Sequence, residues 1–391
     1  MRKKIIVVLA VILLVGIFTF DFFNNFTVVS KGKGAPTDYV VLKWGEGENE
    51  AKLEKLDDPE FHSYDGPDTF DVDKDGNVYL VERLRDRIIK VNKDGQLLET
   101  YDISGIKTDR EAKYAPIQLM VANNCLFLKI IYSYPDYDEY NRLGKFGYPA
   151  PPIFSSYYVA IVKKNSIVKI DVGKLLGGPI DVFMHRLNGS KVAFTPSIPP
   201  EDIPTWKGPK SVIINDKGEA RIVNEIKNNS LDGETPGIAL IYDEDKDTHF
   251  YKNVRIQVKD PITGKPIFIP NPIENGKPVD PMGLQFNGNK ASFVYQTDDA
   301  FYKINDNSYI ITTHVVIFTL FPKKEEYYTL VVGDEERKDL LPPPFTYRVD
   351  QLLGQDGYFY VMDYKKDGLH IQRFEPEAIQ TEHFYRSFKL W

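Results

Sequence analysis

The chain has 391 residues, of which 42% are hydrophobic, 27% charged and 13% aromatic, and its formal net charge is −7. This composition excludes a disordered, collagenous or coiled-coil chain, and the acidic balance argues against nucleic acid as a partner, because phosphate binding needs a basic face. At roughly 150 residues per domain, the length suits one large domain or two.

Tyr and Phe, at 24 copies each, favour strands over helices, since aromatic side chains fill a pleated, half-buried surface. The single cysteine, Cys125, lies in the apolar run 125–128 and reads as a buried thiol. One cysteine allows no intrachain disulfide and no multi-cysteine zinc site, and it lies too far along the chain to carry a bacterial lipoprotein's lipid.

Arg2, Lys3 and Lys4 precede an apolar stretch from Ile5 to Phe20 broken only by Gly16 and Thr19, the charged and apolar regions of an export signal. As a helix, these residues span about 24 Å at 1.5 Å per residue, and running on through Phe22 and Phe23 adds length while carrying Asp21 toward the interface. The best cleavage site is Val28-Val29-Ser30, so an uncleaved signal-anchor and a cleaved signal peptide both stand open over residues 1–30. The expected localisation is the cell membrane, single-pass with the body extracytoplasmic because the basic residues stay inside, or secretion if the signal is removed.

Residues 31–37 read as a polar linker. From 38 to 391 the chain shows short aromatic or β-branched runs separated by Asp-Gly, Asn-Gly and Pro signals, with no long helical period, an all-β pattern. The clearest unit covers 66–103, where Asp75-Gly76 and Asp94-Gly95 turns join strands into a four-stranded antiparallel meander. Such a meander cannot bury both faces alone and must stack on copies of itself. A copy starting at Arg348 aligns without a gap to the stretch starting at Pro67, and weaker starts fall at Pro116, Pro179, Pro236 and Pro281. Six units of about 45–65 residues suit propeller blades. Strands from both ends of the body are expected to pair in one blade and remove a free edge.

The run Pro67-Asp68-Thr69-Phe70-Asp71-Val72-Asp73, followed by Asp75-Gly76-Asn77-Val78-Tyr79, Glu82 and Arg87-Ile88, closely resembles the NHL-type blade. That pattern starts Pro-x-Gly-Ile-Ala-Val-Asp and leads to Asp-Gly-Asn-x-Tyr-Val-x-Asp and Arg-Ile; here Thr69 replaces its Gly and Glu82 its Asp. The resemblance implies a six-bladed β-propeller. Propellers include lyases, lactonases, sugar dehydrogenases and binding scaffolds, so no single activity follows from it.

No nucleophile elbow, zincin helix, Walker loop or Rossmann fingerprint is present. Asp73, Asp75 and Asn77 have the spacing of the start of a calcium loop, but Leu84 stands at the twelfth position and an Asp-Gly hairpin explains them. Asp68, Gln118, Asp181 and Asp350 follow unit starts and are expected at the mouth of the central channel. The insertion after the second unit's first strands carries Tyr134, Tyr137 and Tyr140, whose rings suit stacking on a glycan or docking a protein. The six histidines are scattered and show no ligand spacing.

The leading expectation is therefore a non-enzymatic recognition scaffold, without a cofactor, for a protein or a cell-envelope glycan. The alternative is a lactonase, lyase or sugar-oxidising enzyme with Ca²⁺ held in the channel by Asp68, Asp181 and Asp350.

Overall fold

The structure is a computed structural model that describes residues 26–34, 36–55, 64–107, 113–122, 125–135, 153–177, 182–186, 190–196, 211–223, 239–244, 251–259, 266–269, 273–274, 277–278, 282–287, 290–305, 308–320, 323–332, 351–375 and 377–385. These residues are almost entirely strand. The one α-helix among them, Val172–Leu176, is a single turn capped by the Asp171 carboxylate, which accepts from the Lys174 amide at 2.8 Å.

The first sheet is the expected meander. Thr69–Val72, Val78–Glu82, Arg87–Val91 and Leu97–Asp102 pair antiparallel in chain order. Its turns form as the sequence dictates: Asp73 accepts from the amides of Asp75 and Asn77, both at 2.9 Å, and Gly76 takes φ +81°. That conformation favours glycine, and the carboxylate bonds its own turn.

The second sheet repeats the order with Lys113–Ala122, Cys125–Pro135, Ile153–Lys163 and Ser166–Asp171, and the third with Val182–Arg186, Lys191–Pro196, Ser211–Asn215 and Ala220–Val223. Three strands, Ala239–Glu244, Tyr251–Lys259 and Pro266–Ile269, make the next sheet. Met282–Asn287, Lys290–Asn305, Ser308–Leu320 and Lys323–Val332 follow as another meander, extended by Phe26–Gly34 and Glu377–Tyr385.

The last sheet brings the two ends of the body together. Gln351–Leu353, Phe359–Lys365 and Gly368–Phe374 come from its C-terminal part, and Pro36–Lys43 adds the outer strand antiparallel to Gly368–Phe374. The pairing runs from Lys43 opposite Gly368 to Pro36 opposite Phe374, then continues from Lys33 opposite Glu377 to Phe26 opposite Tyr385. Of the polar stretch expected as a linker, 31–34 lies in a strand paired on both sides, with Lys323–Val332 and with Glu377–Tyr385, and 36–37 opens the strand Pro36–Lys43. Residues 1–25 lie outside the described residues, and no helix among the described residues is long and apolar enough to cross a membrane.

Among the described residues, alternation along the strands builds a separate core at each of three sheet-to-sheet contacts. Phe70, Val72, Leu80 and Ile89 pack with Val40, Leu42, Tyr360 and Leu369 of the last sheet. Tyr79, Val81 and Ile88, on the opposite face, pack with Leu119, Val121 and Leu128 of the second. Met120, Phe127 and Ile161 then meet Met184, Val192, Phe194 and Val212 of the third. Each buried side chain of this size contributes about 1.5–3 kcal/mol, so a meander that is unstable alone is held from both faces.

The sheets stack with their first strands side by side: 69–72 beside 113–122, 113–122 beside 182–186, 182–186 beside 282–287, and 282–287 beside 351–353. The Gln355 amide donates to the Val72 carbonyl at 2.9 Å and links the last sheet back to the first.

Candidate functional site

The last residues of three first strands meet. Asp71, buried at 1% exposure, accepts from the Val121 amide at 2.6 Å and from the guanidinium of Arg186, whose Nε donates to the Val121 carbonyl at 3.2 Å. The Gln355 side-chain amide also donates to that carbonyl. Burial pushes the Asp71 carboxyl up, while Arg186 and the backbone amides of Val121 and Val72, the latter donating at 2.8 Å, work against it. Because the C-terminal ends of these strands converge, the strands run in one sense, and their N-terminal ends define the opposite end of the stack.

At that opposite end stands Asp68, one residue before the first strand and 1% exposed. Its Oδ2 accepts from the Arg83 backbone amide at 3.2 Å and its Oδ1 from Arg83 Nε at 3.3 Å. Arg83 opens the one-turn 3₁₀ segment Arg83–Arg85 that joins the second and third strands, and its other arm reaches Asp65 at 2.5 Å. Burial, with the Asp65 charge added and Arg83 opposing, pushes the Asp68 carboxyl up to about 6. Tyr364 donates from its hydroxyl to the Pro67 carbonyl and fixes the approach to Asp68 from the last sheet.

The same end is tied to the chain's closing loop. Glu82 accepts from the Lys52 amide at 3.0 Å and from Arg87 Nε at 2.5 Å. Arg85 donates to the carbonyls of Gly45, Gly47 and Glu50, and Arg87 to that of Glu50. Three alternate arginines thus hold a loop and three carboxylates, Asp65, Asp68 and Glu82, in place, which offsets the cost of burying them.

Of the residues singled out in the sequence, Asp68 lies one residue before the first strand of the first sheet, as the partner of Arg83. Gln118 is half-buried in the first strand of the second sheet, opposite Lys129. Tyr134 pairs with Phe154 through the backbone at the root of the insertion. Tyr137, Tyr140, Asp181 and Asp350 lie outside the described residues. Among the described residues no three His, Cys, Asp or Glu side chains group as metal ligands. Cys125 is buried and its thiol is pushed up to about 11 by that burial. His314 lies in Ser308–Leu320, as its neighbours predict, and His370 is buried in the closing sheet with Asp38 at 3.0 Å and Asp367 at 3.2 Å.

Sequence reasoning missed Arg186 and Arg83. Arg186 lies 115 residues from Asp71, and no local signal joins them. Arg83 had a signal: a guanidinium in the turn facing an Asp at the start of the same sheet.

No protein-family model matches the chain, and no curated protein matches it in sequence. Among solved structures it is similar to a streptogramin B lyase, at 15% identity over 84% of this chain and 98% of that one, with a TM-score of 0.33. It is similar to virginiamycin B lyase from Staphylococcus aureus, at 12% identity over 83% of this chain and 99% of that one, TM-score 0.34. It is also similar to a PQQ-bound aldose sugar dehydrogenase from Streptomyces coelicolor, at 10% identity over 89% of this chain and all of that one, TM-score 0.30. These neighbours are all-β, β-propeller proteins. A likeness of this size carries no argument about activity.

Proposed function

We propose that the chain is a membrane-targeted, extracytoplasmic six-bladed propeller of the NHL type that recognises a protein or a cell-envelope glycan through the end bearing Asp68. In this reading the pairing of Pro36–Lys43 with Gly368–Phe374 closes the ring.

The observation that carries the recognition reading is the occupation of Asp68. Arg83 takes both carboxylate oxygens, so the position a divalent cation needs is filled by a guanidinium, and the pair serves as wall and scaffold. The long connections support the same end. Arg83–Asp86 joins the second and third strands of the first sheet at the Asp68 end. The equivalent connections, 136–152 in the second sheet and 197–210 in the third, leave their sheets there too. Loops on a rigid ring are where recognition concentrates.

Changing Tyr134, Tyr137 and Tyr140 together to Ala should abolish recovery of the partner in a crosslinking pull-down while leaving the melting temperature in place; undiminished recovery would contradict the assignment. The raised Asp68 carboxyl favours the second reading, a cation-dependent enzyme using Asp68, Asp181 and Asp350, since buried carboxyls near 6 are common at catalytic sites.

A further inference from the structure

We infer that the protein keeps its N-terminal apolar run as a permanent anchor, because the folded body uses the residues that signal processing would remove. The inference rests on the membrane-targeted reading of residues 5–20 and decides between the two fates, anchor or cleaved signal, that the sequence leaves open.

The strand Phe26–Gly34 runs straight through the best cleavage site, Val28-Val29-Ser30. It is an internal strand, fifth in a sheet of six, with Lys323–Val332 on one side and Glu377–Tyr385 on the other. A cut after Ser30 would take Val28, Val29 and Ser30 from opposite Lys324, Glu325 and Glu326. On the other side it would take Phe26 to Ser30 from opposite Tyr385 to Thr381. The part left behind, Lys31-Gly32-Lys33-Gly34, is a poor strand, since glycine loses most entropy on extension and offers no side chain to pack. The aromatic and β-branched residues that favour a strand, Phe26, Thr27, Val28 and Val29, all precede the cut. The register against Glu377–Tyr385 also shifts between Lys31 and Gly32, so the regular part of that ladder is the part that would go.

The neighbours have no substitute for these residues. Among the described residues Glu377–Tyr385 pairs with no strand but Phe26–Gly34, so Thr381 to Tyr385 would lose their ladder altogether. Lys323–Val332 would become a bare edge from Lys324 to Glu326, and a bare edge invites pairing with other chains. Processing would therefore take apart a junction between the two ends of the chain that retention preserves. In the retained form only Asp21 to Asn25 separate the apolar run from an element held on both sides.

The test uses the full chain expressed in a bacterial host with an active signal peptidase, fractionated by carbonate washing and read by intact mass. The expected result is a carbonate-resistant chain that begins at Met1. A chain that begins anywhere after Phe20 would overturn retention and leave the targeting reading standing. A full-length chain in the soluble fraction would overturn the targeting reading, and retention with it. Hydrogen exchange then asks whether the strand is the reason, with Val29→Pro in the same full chain. Proline cannot donate to a ladder from an internal strand, so the amides of 324–330 and 381–385 should exchange about tenfold faster or more, while Leu80 and Ile89 of the first meander keep their rates. Where the proline lowers protection at Leu80 and Ile89 as well, the milder Val29→Gly is read by the same standard. Unchanged exchange at 324–330 and 381–385 would show that the body does not depend on Phe26–Gly34 and would overturn the inference.

Discussion

Two buried Asp–Arg pairs have their carboxylates three residues apart, Asp68 just before the strand Thr69–Val72 and Asp71 within it, and are built in opposite ways. Asp68 finds Arg83 within its own sheet, fifteen residues on, and the pair shapes one end of the molecule. Asp71 finds Arg186 two sheets away, with Val121 and Gln355 completing a network that touches four sheets. A pair made locally survives whatever the rest of the chain does. A pair made across sheets exists only when those sheets have stacked in order, so Asp71–Arg186 reports on the ring and Asp68–Arg83 on the meander.

The largest expected effect breaks the long-range pair. Arg186→Ala leaves the buried Asp71 carboxylate uncompensated and should cost about 3–5 kcal/mol in urea unfolding. Adding Asp71→Asn to the same chain should recover part of that loss, because the stranded charge is gone. Additive losses in the double variant would mean that the two side chains do not act as a pair.

The local pair is addressed by pH. The folded Asp68 carboxyl is raised to about 6 from an ordinary 3.8, so between those values the folded state binds more protons than the unfolded one. Its contribution is therefore favourable in acid and is lost as pH rises through 4 to 6, about 3 kcal/mol in all. The stability of the native protein relative to Asp68→Asn should fall across that window and stay level above it. A difference that is flat with pH would contradict the burial described for Asp68.

Closure is tested by Gly368→Ala. A Cβ there would lie 2.4 Å from the Leu42 carbonyl oxygen, a backbone atom of the closing strand that has no rotamer with which to give way. Overpacking of this kind costs about 1–3 kcal/mol, and hydrogen exchange should speed at Val40 and Ile371, where the two strands pair. The smallest effect is expected for Tyr364→Phe, which removes the bond to the Pro67 carbonyl and should cost about 1 kcal/mol by chemical denaturation.

How much of this could be read in the sequence follows from the range of each interaction. The first meander is announced by Asp-Gly turns and strict alternation, and the match between 67–82 and 348–363 anticipates that the chain's ends share an architecture. Pairing of the two ends in one sheet is legible from the strand-like runs at 38–44 and 383–388, but Pro36–Lys43 pairs with Gly368–Phe374, and His383 stands opposite Val28 in another sheet. The strand at 26–34 is hidden because its second half, Lys31 to Gly34, alternates Lys and Gly, and because its partners, Lys323–Val332 and Glu377–Tyr385, lie about 300 residues away or more. Asp68 was visible as the residue after a repeated Pro; its engagement by Arg83 depends on how a three-residue turn folds over. Asp71–Arg186 had no signal, since sequence spacing says nothing about which sheets become neighbours.

The most direct test of recognition against chemistry is elemental analysis of the full-length protein purified without chelator, with melting curves before and after chelation. The account predicts no stoichiometric metal and an unchanged melt, because Arg83 already occupies Asp68. Stoichiometric calcium whose removal lowers the melting temperature would contradict it and place the chemistry in the channel.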